Sequence, residues 1–141
     1  MRFLLDTTVV SEWVKPQPAP RVVAWLADAD EDQLFISVIT IAELRQGIGR
    51  LAQGRRRERL GEWLNVELPE RFADRVLAID AAVANAWGVI VAERERRGRP
   101  IGAIDAFVAA TARVHELALV TRNVADFGSS VTSLVNPWAA R

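Results

Sequence analysis

The chain has 141 residues, half of them hydrophobic and 26% charged, with 18 basic residues balanced by 18 acidic ones and no cysteine. That length and composition suit one globular domain, and they exclude a disordered chain, a disulfide framework, thiolate catalysis and cysteine-ligated zinc. A formal net charge of zero leaves no global field to draw the protein onto nucleic acid, so any such partner must be held locally.

Phe3-Leu4-Leu5 is a short continuous apolar run, as in a strand buried on both faces, and Asp6, Thr7 and Thr8 follow at once. Asp6 therefore sits at a strand's carboxyl end, where open α/β sheets bind ligands. On these residues alone two readings stand: a site for chemistry, or a cap for the helix beginning near Val9. The three apolar residues before Asp6 are too few for a signal peptide. The longest weakly polar run, Ala81 to Ala92, contains Asn85 and is too short to span a membrane. A soluble, cytoplasmic protein is expected.

Thr8 to Val14 reads as a short helix broken by the three prolines of Lys15-Pro16-Gln17-Pro18-Ala19-Pro20. A second helix is expected from about Arg21 to Ala29, with Val22, Val23, Trp25 and Leu26 on its buried side, then an acidic solvated turn through Asp32. Gln33 to Ser37 is the second strand. From Val38 the pattern turns helical, with Ile41, Leu44, Ile48 and Leu51 at spacings of three and four. Glu43 lies about 200° around that helix from Ile41, off the apolar stripe and free to face solvent or a cleft.

Gly54 to Leu64 reads as a basic helix, with Pro69 closing the segment after it. Arg75 to Asp80 is the third strand, ending in a cap for a long helix that runs to about Arg97 and carries Trp87 as packing. Gly98 to Gly102 turns into a helix from Ala103 to about His115. Its buried stripe is Ile104, Phe107, Val108, Thr111 and His115, with Asp105 beside it in the first turn, where the helix dipole favours an acid. His115, the single histidine, reads as a packed helix-end residue. Leu117 to Thr121 is the fourth strand, residues 122 to 127 leave it as a loop carrying Asp126, and Val131 to Val135 is a last short strand. Two arginine clusters, Arg55, Arg56, Arg57, Arg59 and Arg94, Arg96, Arg97, Arg99, neighbour Glu58, Glu62, Glu93 and Glu95 and read as solvated faces with Glu/Arg pairs in preference to a dedicated phosphate track, for which the arginine fork is also suited. Alternating strands and helices point to a single domain over residues 1–141, a three-layer α/β/α sandwich on a mainly parallel sheet of four or five strands.

In such a sheet Asp6 and Asp126 share an edge, and Glu43 and Asp105 need only enter from flanking helices. Carboxylates gathered there would repel one another unless a cation neutralised them, and hard Mg²⁺ or Mn²⁺ suits oxygen donors better than zinc does. On that basis Asp6→Asn is expected to leave the metal-free protein as stable as before, or slightly more so.

Four stretches resemble, in order and spacing, the signatures of PIN domains: Leu4 to Glu12, Ile41 to Gly47, Pro100 to Ala112 and Leu119 to Phe127. The likeness is greatest to the VapC toxins of bacterial toxin-antitoxin pairs, including their FitB-like branch, and extends to the closing Val135-Asn136-Pro137-Trp138. The resemblance implies a metal-dependent ribonuclease in which Asp6, Glu43 and Asp105 match the three core acids, Asp126 the more variable fourth, and Thr121 a nearby hydroxyl position. It also implies an RNA substrate, a homodimer, and a cognate VapB-like antitoxin through which a toxin-antitoxin assembly would bind operator DNA. Surplus apolar groups such as Trp13, Trp63 and Trp87 suit an apolar groove for that partner. Where the family usually carries Asn this chain has Thr8, whose hydroxyl can replace only part of an amide. A non-catalytic PIN-like interaction or DNA-regulatory module is the alternative. A dehalogenase-type phosphatase would need an acid where Thr8 stands.

Overall fold

The computed structural model describes residues 1–139; the expected domain also includes Ala140 and Arg141, which lie outside the described residues. Five parallel strands, β1 (Phe3–Leu5), β2 (Leu34–Ser37), β3 (Val76–Leu77), β4 (Ala118–Val120) and β5 (Leu134–Val135), form one sheet in the order β3-β2-β1-β4-β5. The helices are α1 (Thr7–Val10, continued by a 3₁₀ turn over Ser11–Val14), α2 (Pro20–Asp28), α3 (Val38–Gly49), α4 (Arg55–Glu62), α5 (Leu68–Phe72), α6 (Ala81–Arg96), α7 (Ala103–Val114) and α8 (Val124–Phe127).

Alternation along each strand divides the apolar residues between two cores. Leu5, Leu34, Ile36 and Val120 face a core completed by Val9, Val22, Leu26, Leu44, Leu64, Leu68 and Phe72. Leu4 and Leu119 face the other, with Val83, Ile90, Val108 and Phe127. Both faces of the sheet are thus covered by helices, which is the expected three-layer sandwich.

The outer strands are shorter than their apolar runs. β3 pairs only with β2, in the register Ile36 with Val76 and Ser37 with Leu77. Because β2 ends at Ser37, where α3 begins, nothing remains for Ala78 to Asp80 to pair with. β5 likewise pairs only Leu134 and Val135, opposite Leu119 and Val120.

Four helical expectations change. Val23 is 41% exposed, because it sits about 100° around α2 from Val22, while Trp25 and Leu26 fall within about 60° of it. Ile104 is 47% exposed in the first turn of α7, and the alanines at 106, 109, 110 and 112 are buried in its place. The segment holding Asp126 contains the short helix α8 rather than only a loop. Pro69 does not close the helical run after α4. A five-residue π turn over Trp63–Glu67 intervenes, with the amide of Leu68 bonded to the carbonyl of Trp63, and Pro69 follows as the second residue of α5. That wider turn suits a residue with no N–H to donate.

Candidate active site

The connectivity gathers the acids. In a parallel sheet each strand points its carboxyl end to the same edge, and a helix feeding the next strand runs back antiparallel, so its amino terminus lies at that edge. Asp6 follows β1, and Asp126 lies in α8 after β4. Asp105 occupies the first turn of α7, which feeds β4, and Glu43 the second turn of α3, which starts where β2 ends.

Asp6 is buried and every bond to its carboxylate comes from a neighbouring hydroxyl or amide. One oxygen accepts from the Thr7 amide at 2.9 Å, so Asp6 does cap α1. The other accepts from the hydroxyls of Thr8 at 3.0 Å and Thr121 at 2.8 Å. The cap reading of Asp6 therefore holds, and it occupies one oxygen while leaving the other to be oriented by Thr8 and Thr121. Thr8 supplies the donor half of what an asparagine amide offers. Thr121 in turn accepts from the Asn123 amide at 3.1 Å, which fixes its hydroxyl proton toward Asp6.

Glu43 turns to the cleft, not to open solvent. Its carboxylate accepts from the Thr7 hydroxyl at 2.6 Å, and the Thr7 and Thr40 hydroxyls lie 3.1 Å apart. Thr7 thus joins the strand carrying Asp6 to the helix carrying Glu43. Sequence pattern assigned Thr7 and Thr40 no such role. The available signal was a hydroxyl beside Asp6 and another one helical turn before Glu43.

Asp105 reports on the whole group. Burial pushes its carboxyl above the usual range, and the negative charges of Asp6, Asp126 and Glu43, in that order, push it further. The other three predicted acids therefore all act on this one carboxyl. Among the described residues, however, no three acids enclose a point closely enough to hold an ion as they stand. The donor set is all carboxylate and hydroxyl oxygen, the chemistry of a hard divalent cation. His115 takes no part. It ends α7, ten residues or about 15 Å along the helix from Asp105.

Glu12 carries a role that sequence pattern did not mark. This buried carboxylate accepts from the Ala19 amide at 2.8 Å, across the proline segment. Its other oxygen is held by the ammonium of Lys15 in an ion pair. A glutamate several residues after the strand has nothing around it in sequence that signals burial.

A family model described as PIN domain matches residues 3–127. The chain is 39% identical over 136 residues to the toxin FitB of Neisseria gonorrhoeae, covering 96% of this chain and 98% of FitB. It is 34% identical over 136 residues to the VapC ribonuclease Y4jK of Sinorhizobium fredii, covering 96% and 97%. The solved structure of FitAB bound to an IR36 DNA fragment matches with a TM-score of 0.93 at 36% identity, over 99% of this chain and 97% of that one. With likeness of this extent in both sequence and fold, the chain belongs to the PIN-domain family, among its FitB and VapC toxins.

Proposed function

We propose that this protein is the toxin of a type II toxin-antitoxin pair, a divalent-metal-dependent ribonuclease acting in the cytoplasm as one domain over residues 1–141. The observation that carries the reading is the gathering of Asp6, Glu43, Asp105 and Asp126 at the strand-end edge, with hydroxyls aiming the Asp6 and Glu43 carboxylates and the Asp105 carboxyl raised by burial and by the other three acids. Such repulsion serves no structural purpose and is what a bound cation removes. Asp6, Glu43, Asp105 and Asp126 would hold Mg²⁺ or Mn²⁺, the cation drawing together carboxylates that otherwise repel. When bound, it supplies an activated water and neutralises charge at the phosphorus. Thr121 and Thr8 hold one Asp6 oxygen, and Thr7 holds Glu43, so these two carboxylates would meet the ion preoriented. The relatives' names as VapC ribonucleases support the RNA substrate. The FitAB assembly on DNA supports operator binding through the antitoxin, which suits a chain with no net positive charge of its own. The non-catalytic alternative leaves the four coupled acids without a use.

The test is Asp6→Asn, assayed for RNA cleavage and for thermal stability with Mg²⁺ and with EDTA. Cleavage should fall by about three decades, roughly 4 kcal/mol of transition-state stabilisation. Mg²⁺ should raise the melting temperature of the wild type more than that of the variant. Because three donors converge on Asp6, the substitution should also destabilise the metal-free protein, by about 1–2 kcal/mol. This reverses the sign expected from charge repulsion alone. Full activity in Asp6→Asn, or cleavage undiminished by EDTA, would sink the reading of these acids as a metal-dependent catalytic site.

A further inference from the structure

The second arginine cluster is not the glutamate-paired face that its sequence suggests. Past the end of α6 the chain turns through Gly98, at φ +68°, and brings Arg94, Arg97 and Arg99 onto one cavity of about 190 Å³, with Ala125, Gly128 and Ser129. The ion pairs among the described residues are Lys15 with Glu12 and Arg71 with Glu31, so none of these guanidinium groups has a carboxylate partner there.

The donors of Arg94 and Arg97 go to neutral acceptors. Arg94 bonds the carbonyl of Arg99 at 2.7 Å, the carbonyl of Asp126 at 3.1 Å and the hydroxyl of Ser130 at 3.0 Å. Arg97 donates to the Ser129 hydroxyl at 2.8 Å. Neutral acceptors fix the Arg94 and Arg97 guanidinium groups without cancelling their charge, and with Arg99 three positive charges share one concave surface, which focuses their field. α8 joins this surface to the acids, since Ala125 lines the cavity and Asp126 next to it acts on Asp105.

We propose that Arg97, Arg99 and Ser129, braced by Arg94, bind a backbone phosphate of the RNA beside the acid cluster. The inference rests on reading that cluster as the place where RNA is cut. An RNA strand approaching four acids is repelled, and a cationic anchor one helix away offsets this while setting which phosphate reaches the acids. Arginine presents a fork of donors that fits phosphate oxygens two at a time. The cavity, at about 190 Å³, is below the about 300 Å³ at which small-molecule pockets begin and has room for a phosphate group; the arginine donors, not its size, favour phosphate.

The test measures anisotropy of a fluorescein-labelled single-stranded RNA in EDTA over a salt series. R97Q/R99Q should weaken binding about tenfold and lower the salt slope by about 0.7 for each phosphate that the variant no longer neutralises. R97K/R99K should keep that slope while recovering only part of the affinity, and it stands in should the first variant fold poorly. R56Q/R59Q removes the same charge from the other cluster and should change affinity by less than about twofold. Equal losses from both clusters, no loss from R97Q/R99Q, or no RNA binding by the wild type would each overturn the proposal. In cleavage assays R97Q/R99Q should raise KM about tenfold and leave kcat within about twofold. If RNA binds and R97Q/R99Q abolishes it while no RNA is ever cut, the nuclease reading fails and the phosphate site stands. Cleavage with an unchanged KM in the variant has the opposite meaning.

Discussion

Asp105 bears the cost of assembling four acids without a cation. Its carboxyl is raised by burial and then by Asp6, Asp126 and Glu43, so the folded protein holds this proton more tightly than the unfolded chain does. Stability attributable to Asp105 therefore falls as pH rises through the carboxylate range and stays lowered above it. Asp105→Asn removes that penalty. In EDTA the variant should melt above the wild type at about pH 7, and the difference should shrink toward zero near about pH 4, where the unfolded carboxyl is itself half protonated. Adding Mg²⁺ should reverse the order, because only the wild type keeps the full donor set. A variant that melts below the wild type in EDTA at neutral pH would show that Asp105 is held by favourable interactions. The four acids were legible in the sequence because each lies just past a strand end or in the first turns of a helix, and local pattern fixes those boundaries. The bonds that aim them were not. Thr7 reaches Glu43 across 36 residues of chain, and only the packing of α3 against α1 brings the two together.

At the scale of elements, strand positions were readable and strand lengths were not, because a strand's length depends on its partner. Val76 and Leu77 pair while Ala78 and Ile79 do not, since β2 has already become α3. The proline segment between α1 and α2 shows the same dependence. Sequence marks it as an extended loop, yet one carboxylate closes it, with Glu12 gripping the amide of Ala19 and the ammonium of Lys15. Burial raises the Glu12 carboxyl, but its bonds to Lys15 and to the Ala19 amide outweigh this and hold it below its ordinary value. A depressed carboxyl stabilises the fold above the unfolded pKa and loses that contribution as pH falls through the folded one. Glu12→Ala leaves the Ala19 amide unsatisfied and should cost about 1–3 kcal/mol. Glu12→Gln keeps that bond, loses the ion pair with a half-exposed lysine, and should cost less, about 1 kcal/mol. Neither touches the acids, so both should cleave RNA within a few-fold of wild type at a temperature where they are folded. Urea melts at neutral pH measure the ranking, and a Glu12→Ala variant as stable as the wild type would show that the loop closes without this staple.

The whole molecule sorts charges that sum to zero. Acids collect at the strand-end edge, the arginines at the end of α6 sit across α8 from them and those of α4 form a separate cluster, so electrostatics acts by region and not through net charge. A further region is apolar, where Val14, Pro16, Leu60 and Trp63 line a groove whose charged rim is Arg56, Arg59, Glu62 and Glu67. Trp13 is not open to a partner in the same way, since it packs on Phe72 with the Arg71 guanidinium 3.9 Å from its ring centre. Trp87 stacks on Phe107, and its indole N–H donates to the Ala103 carbonyl at 3.0 Å. Of the three tryptophans that suggested a groove, Trp63 is the one that lines it. An amphipathic antitoxin helix laid there would bury the apolar stripe and meet the rim's two arginines and two glutamates with polar residues of opposite charge. Co-expression with the product of a small adjacent reading frame should yield a complex whose RNA cleavage is suppressed. Binding only the folded toxin at about a thousand times Kd should add about 4 kcal/mol of stability and raise its melting temperature. Light scattering on the toxin alone should give a homodimer. A monomer that neither gains stability beside that product nor loses activity to it would overturn the toxin-antitoxin assignment while leaving the nuclease chemistry to stand on its own assay.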